Sequence, residues 1–347
     1  MTLPPQQIYY NIDIINGSNT ETSTEFDPPA QFSETRDEPL IYDISQYKMS
    51  ITRFTMNGMS DLPLFIPVIA EGQSDPNKTI YSITVQDADT GDVSTEALQY
   101  FPENNLEPPQ TPFKDQSLHS QYYYAHTYNH FVKMVNNAFD SLLLPNVRLK
   151  FDAETNKFTV VVPKSFDDKL FFNGALFNMI SNLPNKRNYS RKDFLDYEIL
   201  FKEGDDDGTN YNLTQEFSSL GSYWSPISSI VFTSNTLPII PEAVAPTVRF
   251  GDSNNRNQSS SQGITEPIIT DIALTLDNAY DYKQFISYTP SSQYRFVSFT
   301  HSRQALKNID INIYWKSRLT GELIPLRMNS LSNISIKILF QRLGMDE

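Results

Sequence analysis

The sequence contains no cysteine among its 347 residues. Disulfides, thiol nucleophiles, iron–sulfur clusters and cysteine-based zinc sites are therefore excluded. No apolar run approaches the roughly 18 residues that a membrane-spanning helix needs. The first residues also lack the basic and apolar regions of a secretory signal. These absences are typical of a chain that is made, or assembled into a particle, in a reducing compartment.

Basic residues are also few. Lysine and arginine number 27 against 41 aspartates and glutamates, which leaves a formal net charge of -14. Binding to a nucleic-acid backbone or to an anionic membrane surface needs a surplus of positive charge on some face of the protein. We therefore expect no nucleic-acid specificity and no membrane docking as the main function.

Glycine is scarce, at 12 residues, whereas proline reaches 22 and aromatic residues make up 13%. Such a composition favours a β-rich protein with long, rigid connections. In several segments apolar and polar residues alternate, as they do in half-buried strands. The clearest of these segments are Tyr47–Met56, Thr79–Val85, Tyr294–Thr300, Ile309–Trp315 and Ile334–Phe340. About eight strands fall outside residues 90–190, and this number predicts a β-sandwich.

One segment has the apolar spacing of a helix instead. From Ala125 to Leu144 the apolar residues recur every three or four positions. A hairpin over Val147–Val162 follows, with turn residues between its two strands. We predict that the helix packs its face of Phe131, Val135 and Phe139 on this hairpin, within an α+β subdomain.

The first 40 residues are rich in proline, serine, threonine and acids, which predicts an extended arm. Within them Ile8–Ile15 alternates, as a strand or a peptide that pairs with a sheet edge does. A disordered tail is the alternative. Residues 251–263 are polar and of low complexity, which predicts an exposed loop. Whether these two segments are ordered stays open.

Residues that could carry catalysis or hold a metal are sparse. His126 and His130 are four positions apart on the predicted helix, but no third ligand accompanies them, so we favour two partly exposed histidines. Asp205–Asp207 lacks the spacing of an EF-hand, and solvated turn carboxylates are favoured. No G-x-S-x-G, G-x-x-x-x-G-K-[ST] or G-x-G-x-x-G pattern occurs. We therefore predict no enzyme, no catalytic, cofactor-binding or metal-binding residues, and no cofactor.

Two other clusters have simple interpretations. The residues Lys186, Arg187, Arg191 and Lys192 form a basic loop that can contact an acidic partner, although a solvated loop is favoured. The run Tyr122–Tyr124 precedes the predicted helix, and such aromatic runs are typical of a core or an interface.

The C-terminal third carries a resemblance to a known family. It has a strand with Tyr294–Arg295, a strand ending in Tyr314–Trp315, a G-x-x-x-P-L turn and a final I-K-x-x-F strand. The turn and the final strand contain Gly321, Pro325, Leu326, Ile336, Lys337 and Phe340. The tyrosine-rich lead into the helix (Tyr122–Leu144) and the segment Ile230–Glu242 fit the same group. The sequence thereby resembles penton-type minor capsid proteins of Polinton-like viruses, virophages and related small DNA viruses of the double-jelly-roll lineage.

The resemblance spans about residues 45–342. It implies a single jelly roll, five copies of which form the capsid vertex beside a separate major capsid protein with two jelly rolls. It also implies a virion location after assembly inside the host cell, and it carries over no catalytic residue. Residues 1–40 and the acidic loop near residue 205 match no family pattern, so vertex-specific decoration there stays open.

We accordingly predict an all-β protein, a single jelly-roll β-sandwich with an inserted α+β subdomain. The predicted parts are an arm (1–40), a discontinuous jelly roll (41–90 and 193–347) and the insertion (91–192). The predicted function is that of a penton subunit, which forms the pentameric vertex of an icosahedral capsid. Expected partners are further copies of the chain, the major capsid protein of the same virus, and a spike or receptor through the insertion. We expect the insertion to project outward and the arm to contact neighbouring subunits or the inner surface.

Two alternatives remain at this point. A trimeric receptor-binding spike or fibre head is also a β-sandwich with exposed loops, and three-fold symmetry would distinguish it. A sugar-active or lectin-like β-sandwich enzyme would need paired carboxylates, which the sequence does not offer at a readable spacing.

Overall fold

The computed structural model describes most of the chain. The described residues are 5–17, 27–57, 61–72, 74–109, 120–188, 196–220, 224–244, 264–274, 285–289, 295–300 and 303–344. They divide into two compact units. The first unit comprises the described residues of the ranges 1–62, 227–275 and 281–347, and the second comprises the described residues of the range 63–226.

Strands dominate the described residues, so the prediction of a mostly β protein is confirmed. In chain order the strands are β1 (Gln7–Ile15), β2 (Gln31–Thr35), β3 (Tyr47–Asn57), β4 (Lys78–Gln86), β5 (Val93–Gln99), β6 (Arg148–Asp152), β7 (Lys157–Pro163), β8 (Lys169–Phe172), β9 (Asn185–Arg187), β10 (Tyr197–Ile199), β11 (Asp205–Asp206), β12 (Asn210–Thr214), β13 (Ile227–Thr233), β14 (Glu242–Val244), β15 (Ile264–Glu266), β16 (Ile268–Ala273), β17 (Phe285–Tyr288), β18 (Val297–Ser298), β19 (Asn308–Ser317), β20 (Leu323–Pro325) and β21 (Asn333–Arg342). The helices are α1 (Tyr128–Ser141) and α2 (Gly174–Met179). Neither helix in this described part of the chain is long and apolar enough to cross a membrane.

Two antiparallel sheets make up most of the first unit. Sheet I has the strand order β1-β21-β3-β17, with β18 also paired to β3. Sheet II has the order β16-β13-β19-β2, with β20 also paired to β19. Strands β14 and β15 pair with each other as a small ribbon.

The two sheets of the first unit pack face to face. Along β21 every second residue, from Ile334 to Phe340, is buried, as the period of a strand with one covered face requires. Phe54 of sheet I and Phe232 of sheet II meet edge to face, with ring centroids 5.0 Å apart. Burial of such apolar faces is the main stabilising contribution in a sandwich of this kind.

A buried carboxylate fixes the turn that follows β13. The N–H groups of Asn235 and Thr236 donate to the carboxylate of Asp310 over 2.7 and 3.0 Å. The hydroxyls of Thr236 and Ser234 donate to it as well. Burial opposes ionisation of Asp310, but these hydrogen bonds hold its pKa below the ordinary value. The turn is thereby tied to the central strand β19.

The second unit combines two sheets with both helices. One sheet has the order β5-β4-β8-β10-β9 and the other the order β11-β12-β7-β6. The predicted hairpin is β6 and β7, and it pairs in register from Arg148–Val161 to Asp152–Lys157. The predicted packing of the helix on this hairpin is confirmed. The side-chain amide of Asn136 on α1 donates to the carbonyl of Leu149 over 3.0 Å and accepts from its N–H over 2.8 Å.

Aromatic side chains fill the core of the second unit. Trp224 stacks on Phe158 of β7 with ring centroids 5.4 Å apart and meets Phe131 of α1 edge to face at 4.8 Å. Its indole N–H donates to the carbonyl of Met179 over 2.7 Å. The run Tyr122–Tyr124 is also buried, which favours the core among the two interpretations, a core or an interface, that the sequence left open.

Helix α1 is three residues shorter at each end than the predicted Ala125–Leu144. Its first turn is capped by Thr127, whose hydroxyl accepts a hydrogen bond from the N–H of His130 over 3.2 Å. At its end Leu143 adopts the left-handed conformation with φ at 60°, and the N–H of Leu144 donates back to the carbonyl of Phe139 over 2.9 Å. This geometry ends the helix before the last apolar residues of the periodic segment.

The boundaries between the units differ from those predicted at residues 90 and 193. Strands β4 and β5 pair with each other, and β4 also pairs with β8, so the segment around residue 90 lies inside the second unit. Strands β10 and β12 pair with β8 and β7, which places the segment after residue 193 in the second unit too. The first unit ends at Leu62 and the second begins at Pro63. The second unit then ends at Pro226, and the first resumes at Ile227.

Where residues 1–40 are described, they do not extend away from the body as an arm. Strand β1 pairs with β21 along its whole length, and β2 pairs with β19. The reason is burial, because Ile12 in the middle of β1 is only 1% exposed. The predicted strand over Ile8–Ile15 is confirmed, and it completes a sheet of its own chain. The predicted loop at 251–263 lies outside the described residues.

Candidate functional site

His126 and His130, two of the four histidines in the sequence, do not lie together on one helix as a pair of metal ligands would. His126 precedes α1, which begins at Tyr128, so the pair does not share a helical face. His130 is buried rather than partly exposed, because its ring packs against Phe101 and Tyr100 at centroid distances of 4.3 and 5.5 Å. Within the described ranges, no group of three or more histidine, aspartate and glutamate side chains could hold a metal ion.

Glu103 links the chain before the helix to the first turn of α1. Its carboxylate lies 3.1 Å from Nδ1 of His130 and accepts hydrogen bonds from the N–H of His126 and the hydroxyl of Thr127 over 2.8 and 3.2 Å. Burial alone would raise its pKa, but the hydrogen bonds from His130 and His126 hold the pKa below the ordinary value. A carboxylate here also interacts favourably with the helix dipole. These contacts stabilise the second unit.

The acidic run near residue 206 closes a turn, as the turn interpretation predicts. Asp206 forms an ion pair with Lys164 over 2.6 Å. Asp207 accepts from the side-chain amide of Asn212 over 3.0 Å and from the N–H of Asn210 over 2.6 Å. Hydrogen bonds, first among them the one from Asn212, hold the pKa of Asp207 far below its ordinary value. Asp207 thus holds the turn between β11 and β12, and Asp206 ties this turn to the end of β7.

The basic loop is only partly described. Lys186 and Arg187 are exposed on β9, the outermost strand of its sheet, whereas Arg191 and Lys192 lie outside the described residues. The Arg187 guanidinium lies over the ring of Tyr197 at 5.4 Å. This contact is a cation–π interaction within the second unit.

One side of the first unit has the geometry of a contact surface, which the sequence did not reveal. Strands β1 and β2 are the outermost described strands of sheets I and II. They lie on the same side of the sandwich, since the rings of Tyr10 and Phe32 meet at 6.2 Å and the Tyr10 hydroxyl donates to Glu34. Burial, and then the Glu34 carboxylate, raise the pKa of Tyr10 to about 12. Both sheets therefore present an edge on this side.

The free edge of β1 can be located residue by residue. The carbonyl of Gln6 accepts from the N–H of Arg342 over 2.9 Å, and the N–H of Asn16 donates to the carbonyl of Ser332 over 3.0 Å. Because backbone direction alternates along a strand, the even-numbered residues of β1 bond to β21 and the odd-numbered residues point their N–H and C=O groups outward. An edge of this kind is a template for pairing with another chain.

A family model and one curated relative match the chain. The model described as Sputnik minor capsid protein V18/19 matches residues 8–156 and 145–342. Protein V18 of the Sputnik virophage, which is described as uncharacterized, is 28% identical over 153 residues. The match covers 41% of this chain and 87% of V18.

Two solved structures share the fold. A chain in the cryo-electron microscopy structure of the Sputnik virophage is 20% identical, with a TM-score of 0.79, over 99% of this chain and 100% of that chain. The mavirus penton protein, solved as a selenomethionine-labelled crystal, is 15% identical, with a TM-score of 0.66, over 98% of this chain and 100% of that chain.

These matches decide between the functions that the sequence had left open. They do not favour a trimeric spike or fibre head. The matches to the family model run from residue 8 to residue 342, almost the whole chain. The prediction of a structural minor capsid protein in the virion is thereby confirmed, and such a protein assembles with other components of a capsid. The chain belongs to the Sputnik minor capsid protein V18/19 family.

Proposed function

We propose that this protein is a penton subunit and that five copies close into a ring at the vertex of an icosahedral capsid. The observation that carries this proposal is the likeness to the mavirus penton protein, which extends over 98% of this chain and 100% of that chain. A likeness of that extent includes both units. It supports a common architecture rather than one shared domain on two different proteins.

The first unit serves as the single jelly roll of this subunit. Sheets I and II each contain four strands in a row among the described residues. Two packed antiparallel sheets of four strands are the architecture of one jelly roll. The second unit, which lies between Leu62 and Ile227 in sequence, takes the place of the inserted α+β subdomain.

The strand orders of the first unit suit a ring. A closed ring of identical subunits requires two different surfaces on each copy, since every subunit meets one neighbour with each. Strands β1 and β2 end the two sheets on one side, and β17 and β16 end them on the other. The sandwich therefore presents different surfaces on its different sides, which supports head-to-tail contact between copies.

The partners of the subunit follow from this position. The neighbours in the ring are copies of the same chain, and the ring contacts the major capsid protein of the same virus around it. The second unit is the part that would project from the capsid exterior and meet a spike or a receptor. The role is structural, so no step of it depends on a catalytic residue or a cofactor.

Imaging of assembled particles tests this proposal. The chain is co-expressed with the major capsid protein of its virus, and particles made with and without it are compared by electron microscopy. The expected difference density lies at the five-fold vertices and nowhere else. Difference density at three-fold positions or across the capsid faces would show that the chain is not the penton.

A further inference from the structure

Two cations lie side by side on the outer face of sheet I. Arg53 of β3 and Lys337 of β21 are directly opposite each other in the strand pairing. Their neighbours Phe54 and Ile336 point into the core, so alternation places Arg53 and Lys337 on the outer face. Side chains that are directly opposite in a sheet have Cβ atoms about 5 Å apart, and like charges in that position are destabilising.

The described part of the chain does not compensate this pair with a direct ion pair. No described carboxylate lies within 4.0 Å of either cation. The Lys337 ammonium lies over the ring of Tyr9 at 4.8 Å. Asp13 faces the residue two positions before Lys337, so it is only a diagonal neighbour at about 7–8 Å. A pair arranged in this way gains from an anion supplied by another molecule.

A matching acidic pair stands elsewhere on the first unit. Asp37 and Glu38 form an exposed bend directly after β2. Two backbone hydrogen bonds hold the bend: Arg36 donates to the carbonyl of Lys307 over 3.0 Å, and Leu40 donates to the carbonyl of Leu306 over 2.9 Å.

No described cation forms an ion pair with the side chain of Asp37 or Glu38. The Lys307 ammonium does lie at the bend, where it donates to the backbone carbonyl of Asp37 over 3.0 Å. The two carboxylates themselves therefore stay available to a partner.

We propose that the Asp37–Glu38 bend of one copy docks on the Arg53–Lys337 pair of the next copy. The inference rests on the proposed ring and names the charges that hold neighbouring subunits in register. Its basis is charge complementarity, since one subunit carries both a cationic pair and an anionic pair whose side chains form no ion pair with the described residues. The two pairs differ, so the contact is head to tail, which is the kind of contact that closes a ring.

Charge reversal on each side, followed by reversal on both, tests the contact. The variants are R53E with K337E, D37K with E38K, and the combination of all four changes. Sedimentation velocity over a concentration series, at about 50 and 500 mM salt, measures self-association of the full chain. Each one-sided reversal should weaken association about tenfold or more, and the combination should return it to within about threefold of the wild type. Wild-type association should also weaken in high salt.

Matched controls separate this contact from a general effect of charge. K150E with K169E reverses two exposed lysines on strands of the second unit and changes the net charge by the same amount as R53E with K337E. This control variant should self-associate at least as well as the wild type, although its net charge changes by as much as that of R53E with K337E. Thermal melting of every variant checks that the fold is intact.

Several results would overturn the inference. One is wild-type association of the cation-reversed variant. Another is failure of the fourfold variant to recover, and a third is a wild-type chain that stays monomeric over the whole series. A different stoichiometry has a separate meaning. If the wild type forms a closed ring with a number of copies other than five, and the fourfold variant still recovers association, the contact stands and the penton proposal fails.

Discussion

Phe54 and Phe232 meet edge to face across the two sheets of the first unit, with ring centroids 5.0 Å apart and both side chains fully buried. Removing one ring leaves a cavity, so Phe232→Ala should destabilise the protein by about 3–5 kcal/mol. Urea denaturation measures the change in the free energy of unfolding. Tyr42→Ala is the matched control, because Tyr42 is 79% exposed and its loss should cost under about 0.5 kcal/mol. Equal effects of the two substitutions would contradict the face-to-face packing.

Helix α1 of the second unit provides a second test of packing. Phe139 of α1 is fully buried, and Phe139→Asp would place an unpaired charge in the core. We expect a loss of about 3–5 kcal/mol and a clearly lower melting temperature. Asn137→Asp adds the same carboxylate at an exposed position of the same helix and should leave the melting temperature nearly unchanged. An unaltered melt of Phe139→Asp would refute the packing of α1 on the hairpin β6–β7.

The buried carboxylate of Asp310 predicts a dependence of stability on pH. Its pKa is lowered in the folded state, so the unfolded chain binds the proton more readily. The stabilisation by Asp310 is therefore complete above the unfolded pKa of about 4 and is lost as the pH falls through the lower, folded pKa.

Asp310→Asn tests this linkage. The amide cannot accept all the hydrogen bonds from the turn after β13, so the variant should be less stable by about 2 kcal/mol at pH 7. The difference from the wild type should shrink as the pH falls below about 4, in denaturation curves recorded at each pH. A difference that is independent of pH would mean that the carboxylate is not ionised in the folded protein.

Strand β1 allows a test of edge direction within one strand. The N–H of Asn11 points away from β21, whereas the N–H of Ile12 points toward it. Proline is tolerated at an edge position whose N–H faces outward, so Asn11→Pro should cost little. Ile12→Pro removes a hydrogen bond of the pairing and a buried side chain, and it should cost about 3 kcal/mol or more. Thermal melting distinguishes the two variants, and hydrogen exchange of the β21 amides reports the local loss of pairing. The reverse order would contradict the assigned edge.

Strands were predictable from sequence wherever one face is covered. The alternation of Ile309–Trp315 and Ile334–Phe340 corresponds to β19 and β21, because those residues have one side in the core. Tyr294–Thr300 alternates as strongly, yet the described part of it forms only the short strand β18. Alternation predicts an extended segment, but the length of a strand depends on the partner beside it.

The unit boundaries and the edges were not predictable in the same way. The assignment of β4 to the second unit depends on its pairing with β8, which lies far along the chain, and pairing between such distant segments leaves no local pattern. Helix α1 ends early, at Ser141, because Leu143 just beyond it adopts a left-handed conformation that is unusual for leucine. The Arg53–Lys337 pair was also hidden, since 284 positions separate two residues that only the register brings together.

The mass of the assembled protein in solution shows whether five copies of the chain form the ring. Light scattering on a sizing column, with and without the major capsid protein of the same virus, measures the number of copies in the ring. We expect a particle of five copies, which for this chain without the major capsid protein has five times the mass of 39.7 kDa. A stable trimer, or a chain that forms no five-membered ring even with its major capsid protein, would contradict it.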